Sequence, residues 1–168
     1  SKKPKIVLSW APHIKPLPQA VANSFSEWIK QTDAELVITH PKGYELSEDY
    51  TKGVEICYDQ KEAFENADFV YAKNWSSFNN YGKMPLVSQN WIINQEKMNW
   101  TNNAAFMHCL PVRRNIEVAD EVLDSTNSLT LKQAENRIYS AQIVLKKMLE
   151  TQTKITVPSN NHLIKELA

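Results

Sequence analysis

The chain has 168 residues, 42% of them hydrophobic, enough for one compact core or for one lobe of something larger. Lysine and arginine together number 19, as do aspartate and glutamate, so no net field draws the protein to DNA, RNA or an anionic membrane surface. No apolar run approaches the roughly 18 residues needed to cross a bilayer, and no secretory signal opens the sequence, which predicts a soluble, cytoplasmic protein. Cys57 and Cys109 stand far apart with no CxxC and no His/Cys cluster, so neither a disulfide framework nor a metal site is expected and the thiols are expected to be reduced.

In chain order, KIVLSWA (Lys5 to Ala11) reads as a strand, and PLPQAVANSFSEWIKQT carries helical spacing at Val21, Phe25, Trp28 and Ile29. AELVITH (Ala34 to His40) is a second strand, SEDYTKG a helical turn, and GVEICYD (Gly53 to Asp59) a third strand. KEAFENA (Lys61 to Ala67) is a short helix before the strand FVYAKNW (Phe69 to Trp75), and INQEKMNW precedes the strand AAFMHCL (Ala104 to Leu110). EVADEVLD gives a short helix and SLTL a short strand. The helix AENRIYSAQIVLKKMLETQ sets Ile138, Ala141, Leu145, Met148 and Leu149 along one face. The polar stretch 153–168 is expected to be an arm or linker beyond a domain at 1–152.

Strands alternating with helices predict an α/β, Rossmann-like open parallel sheet with helices on both faces. Ligands of such sheets sit beyond the carboxyl ends of the strands, which selects the loops APHIKPLP, HPKGYE, KNWSSFNNYGK and CLPVRRN. There is no internal repeat, no GxGxxG and no GxxxxGK[ST], and three glycines in all make a nucleotide cradle of bare backbone a poor expectation.

Five of the candidate residues fall in those loops or at a strand end. Cys109 and Leu110, at the close of a strand blocked by Pro111, leave backbone carbonyls free to accept from a ligand NH2, and Arg113 can hold a carboxylate through two parallel bonds. The blander alternative is a core cysteine beside two solvated arginines. Lys73, in YAKNW, suits a substrate carboxylate if it faces a crevice; otherwise its stem packs on Trp75 with the ammonium in water. His13, fenced by Pro12, Pro16 and Pro18, either donates to a ligand or bonds loop backbone. His40 and His162 read as ordinary. Arg137, expected at the start of the last helix, opposes the macrodipole there unless an anion is close; its alternative is a surface salt bridge. His108 adjoins Cys109 with their side chains on opposite faces, so a Cys/His hydrolase is a poor reading.

Taken together, WAPHIKPLPQAVANSF, YAKNW, TNNAAFMHCLPVRRN and QAENR resemble the second, amino-acid-binding domain of the aspartate/ornithine carbamoyltransferase family, over about Lys5 to Glu150. HCLPVRR with WAPH and AKNW is similar to the branch acting on N-acylated ornithine, the succinyl form nearer than the acetyl. The resemblance implies transfer of the carbamoyl group of carbamoyl phosphate to the δ-amine of an acylated ornithine in arginine biosynthesis, without metal or organic cofactor, in a homotrimeric parent. It further implies that Cys109 and Leu110 contact the carbamoyl group, that Arg137 binds carbamoyl phosphate and polarises its carbonyl, and that His13, Lys73 and Arg113 hold the acylated ornithine.

The sequence departs from the family pattern in two ways. The Ser-Thr-Arg-Thr phosphate loop and the His-Pro-x-Gln segment of the family's first domain are not found, which predicts that the carbamoyl phosphate domain is missing, that this is a C-terminal fragment and that alone it turns over negligibly. Glu117 stands where the resemblance places a carboxylated lysine in the acetylornithine branch; it supplies a comparable charge or is an exposed helix residue. A non-catalytic amino-acid-binding module and a plain ornithine carbamoyltransferase remain alternatives. A dinucleotide-dependent oxidoreductase is disfavoured by the missing glycine fingerprint.

Overall fold

The computed structural model describes residues 3–83 and 88–152, with the side chains of residues 88, 89 and 152 outside the description. Five strands, β1 (Lys5–Trp10), β2 (Glu35–Thr39), β3 (Glu55–Cys57), β4 (Phe69–Lys73) and β5 (Ala105–Met107), form one parallel sheet in the order β3-β2-β1-β4-β5. The helices are α1 (Ala20–Ile29), α2 (Glu48–Thr51), α3 (Gln60–Phe64), α4 (Gln95–Met98), α5 (Asp120–Leu123) and α6 (Thr130–Gln152), with a 3-10 turn at Ser88–Trp91. This is the α/β open sheet expected from the alternation of elements. None of its described helices is long and apolar enough to cross a membrane.

The central strands are apolar on both sides because both sides are covered. Along β1, Val7 joins a cluster with Val37, Cys57, Val70, Phe106, Val118 and Val122, while Leu8 and Trp10 point the other way into a cluster with Ile38, Tyr71, Trp75 and Trp91. Short helices are started by side chains that accept from otherwise orphaned amides: Ser47 from Asp49, Asp59 from Lys61 and Glu62, and Asn94 from Lys97.

Three expectations are corrected. In α1 the residues turned inward are Ala22 and Ser26, with Phe25 and Ile29 beside them, while Trp28 is 72% exposed and Val21 also faces water. The Ser26 hydroxyl donates to the Tyr50 carbonyl at 2.6 Å, which fixes the inner face through a small polar side chain rather than a large apolar one. SLTL is not a strand: Phe106 exchanges backbone bonds with Asn127 and Leu129 around a single bridge at Ser128, and helix begins at Thr130. Starting there, α6 places Arg137 seven residues in, beyond the first turn where the macrodipole argument applies.

The chain divides into two compact units, Ser1–Ala134 and Glu135–Ala168. The first contains the sheet. In the second, the described residues are helical, and Ile138, Leu145, Met148 and Leu149 of the expected apolar face are exposed. His162 and the stretch 153–168 lie outside the described residues.

Candidate active site

β1 has β2 on one side and β4 on the other, so the chain reverses its direction of travel through the sheet between β1 and β4. At such a reversal the loops leaving the two strands diverge and open a crevice at their carboxyl ends. WAPH ends β1 and AKNW ends β4, which brings the two motifs side by side.

Asn74 fastens them together. Its Nδ2 donates to the Ala11 carbonyl at 2.8 Å, its Oδ1 accepts from the Leu17 amide at 3.2 Å, and the Ser76 amide donates to the Leu17 carbonyl at 2.8 Å. The Trp10 indole donates to the Trp75 carbonyl at 2.8 Å and the Trp75 indole to the Tyr44 carbonyl at 2.7 Å, extending the tie to the loop after β2. Gln19 continues it through Nε2 to the carbonyls of Ser76 at 2.9 Å and Glu45 at 3.3 Å. Apart from the exposed Glu45 these residues are buried or half-buried, and their bonds tie the loops after β1, β2 and β4 together where the sequence shows only scattered polar residues; among the described residues the buried Gln19 Oε1 and Ser76 hydroxyl meet no partner.

Lys73 closes β4 in register with Trp10 and is only 8% exposed. Among the described residues its ammonium has no hydrogen-bond or ion-pair partner. An ammonium so placed at the end of β4 is free to meet an anion, and its 8% residual exposure leaves the alternative of an ammonium in water equally open.

Beyond β5 the chain turns through His108, Cys109, Leu110 and a cis peptide bond to Pro111. Two buried side chains, His108 and Glu117, hold this turn by pairing with each other, an arrangement the sequence did not suggest. Glu117, 1% exposed, accepts from the Arg113 backbone amide at 2.7 Å through one oxygen and lies 3.2 Å from His108 Nε2 through the other. The other ring nitrogen of His108, itself fully buried, meets the Cys109 carbonyl. With the ring charged, both nitrogens donate and every one of these groups is satisfied. Burial pushes the Glu117 carboxyl up, but the bond and charge of His108 and the Arg113 amide more than offset it and hold the carboxyl below its ordinary value. Glu117 is thus neither exposed nor helical, and the nine-residue step from His108 was the signal that could have found the pair.

The same turn presents Arg113, exposed, whose Nε donates to His13 Nε2 at 3.1 Å. His13 Nδ1 lies 2.7 Å from the Lys15 carbonyl and 3.0 Å from the Lys15 amide, so the ring is also fastened to its own loop. Residues 100 positions apart in sequence are joined here, and His13 bonds loop backbone as one of its two readings expected. Arg114 does different work: it bridges Asp120 at 2.8 Å and Asp124 at 2.6 Å on the surface, with Asn115 in the left-handed region at φ 58° between them.

Cys109 is half-buried and free, and its thiol neighbours the buried Tyr71 hydroxyl. Burial, then the neighbouring Cys109, raises the Tyr71 hydroxyl far above its ordinary value. Leu110 is 47% exposed and its carbonyl meets no donor among the described residues. Arg137 belongs to the second compact unit, where it lies on an exposed stretch of α6.

The first unit is therefore an α/β domain whose strand-end loops carry Lys73, Arg113 and the open Leu110 carbonyl, the kind of groups that a small ligand could meet. Comparison with known proteins agrees: residues 18–148 match the family described as aspartate/ornithine carbamoyltransferase, Asp/Orn binding domain. The chain belongs to the aspartate/ornithine carbamoyltransferase family.

Among its relatives, the N-succinylornithine carbamoyltransferase of Bacteroides fragilis (strain 638R) is 53% identical over 150 residues, covering 88% of this chain and 47% of the relative. The N-acetylornithine carbamoyltransferase of Xanthomonas campestris pv. campestris is 33% identical over 159 residues, covering 84% and 47%. A crystal structure of an N-acetyl-L-ornithine transcarbamylase variant complexed with carbamyl phosphate and N-succinyl-L-norvaline superposes with a TM-score of 0.79 at 33% identity, covering 86% of this chain and 49% of that one. The chain spans about half the length of the curated relatives it matches.

Proposed function

We propose that the chain is the acylornithine-binding lobe, residues 1–152, of a carbamoyltransferase that moves the carbamoyl group of carbamoyl phosphate to the δ-amine of N-succinylornithine, with N-acetylornithine the next candidate. The observation that carries this reading is the pairing of Arg113 with His13 across the crevice that holds the unpartnered cation Lys73. An acylated ornithine has a free carboxylate and, in the succinyl case, a second one, and no α-ammonium to be accommodated. Arg113, with Nε spent on His13, keeps both terminal nitrogens for a bidentate carboxylate, and Lys73 supplies a point charge for another.

The carbonyls of Cys109 and Leu110 would accept from the carbamoyl NH2. Cys109 retains one lone pair beside its bond to His108, and Leu110 retains both. Arg137 would hold carbamoyl phosphate and stabilise negative charge gathering on the carbonyl oxygen as the amine attacks. The nucleophile is the substrate's own amine, so the protein's part is alignment and charge stabilisation. The relatives' greater length supports a further, carbamoyl phosphate domain in the parent and negligible turnover by this lobe alone; that the parent is a cytoplasmic homotrimer follows only from the family resemblance.

The test is kinetic, in the complete enzyme. Arg113→Ala raises KM for the acylated ornithine about tenfold or more with little change in kcat, as loss of a charged hydrogen-bonding partner requires. An unchanged KM would reassign Arg113 to the surface.

A further inference from the structure

Away from the crevice residues assigned above, one lysine is held in an unusual way. Lys97, on α4, turns its half-buried ammonium inward to Gln60 Oε1 at 2.6 Å and to the Asn90 carbonyl. Gln60 cannot rotate to offer anything else, because its amide nitrogen donates to the Ser9 hydroxyl at 2.9 Å at the end of β1. Both acceptors are neutral. Among the described residues no carboxylate comes within ion-pair distance of it; Glu96, the preceding residue, acts on it from farther off, and Glu121 shares the lining of an adjoining cavity.

Two neutral acceptors need two N–H bonds, and a neutral amine has two. The fourth tetrahedral direction of Nζ carries a third proton in the ammonium and a lone pair in the amine, so deprotonation breaks no bond in the structure. Burial without a counter-charge favours that neutral form. In keeping with the geometry, burial brings the Lys97 amine down to about 8, with Glu96 resisting only in part. The same lysine lines a cavity of about 630 Å³ with Asn94, Trp100 and Asn115, which gives a small reagent a way in.

We propose that Lys97 is a selective acylation site of this protein, taking small carbonyl electrophiles of the isocyanate class from that cavity. The Nζ lone pair adds to the carbonyl carbon of isocyanic acid, the electrons of its C=N bond collect the proton that Nζ sheds, and a neutral urea results; nothing leaves and nothing is oxidised or reduced. The modified Nζ keeps one N–H, so either Gln60 or Asn90 loses its donor, and with it goes one link of the chain that ties β1 to the segment before α4. The proposal stands apart from the carbamoyl-transfer reading.

Inorganic cyanate supplies the electrophile in the test, with the wild-type chain at pH 8 and peptide mapping by mass spectrometry. The urea at Lys97 is expected to accumulate about tenfold faster than at an exposed lysine such as Lys42, because the larger neutral fraction outweighs its weaker basicity. Because the isocyanic acid fraction of cyanate falls as pH rises, the Lys97 rate is also expected to drop above about pH 8, where that amine is already neutral, while the rate at an exposed lysine stays level. Labelling of Lys97 no faster than Lys42, or a ratio of the two rates that stays constant through that range, would overturn the assignment.

Discussion

Lys73, 8% exposed at the end of β4, has no hydrogen-bond or ion-pair partner among the described residues and so is open to an anionic ligand. The two adjacent arginines divide in the same way: Arg114 already has Asp120 and Asp124, whereas Arg113 donates only to the His13 ring and keeps its terminal nitrogens open to a carboxylate. Arg137 rests on different grounds. Its position well inside α6 removes any argument from the helix dipole, and its role is carried by the resemblance of QAENR and by the family match. In the complete enzyme Arg137→Ala is expected to lower kcat/KM by about two orders of magnitude, as removal of a transition-state donor does; activity within tenfold of the parent would end that role.

At the scale of elements, the strands were legible because central parallel strands are apolar on both faces, and IVLSW, LVIT and FVYA show it without interruption. SLTL misled because four residues alternating polar and apolar suit a helix start as well as a strand, and only the single bridge to Phe106 distinguishes them. Trp28 misled because the sequence cannot show that Ser26, not tryptophan, faces the neighbouring loop. The catalytic turn was visible through its proline and arginines. Its support was not: His108 and Glu117 look like any two polar residues until folding buries both and sets them 3.2 Å apart. Because its folded carboxyl titrates below the ordinary value, Glu117 contributes stability that is complete above the unfolded value and is lost as pH falls through the folded one. The melting temperature of Glu117→Gln is therefore expected to lie below that of the parent at pH 7, and the gap to narrow in acid. Two profiles that stay parallel from pH 7 downward would deny the pair that contribution.

For the whole molecule, the parallel sheet sets WAPH, AKNW and HCLPVRR at the carboxyl ends of the neighbouring strands β1, β4 and β5, which is what allows motifs scattered over 100 residues to be proposed as one site. The chain matches about half of each curated relative, and the reading assigns the remaining phosphate contacts to the other half. Discrimination between acyl groups then belongs to the complete enzyme. The most direct measurement offers it ornithine, N-acetylornithine and N-succinylornithine side by side with carbamoyl phosphate and follows the citrulline-type product. The account predicts product with N-succinylornithine well ahead of the other two; product from free ornithine alone, or from none of the three, would contradict it.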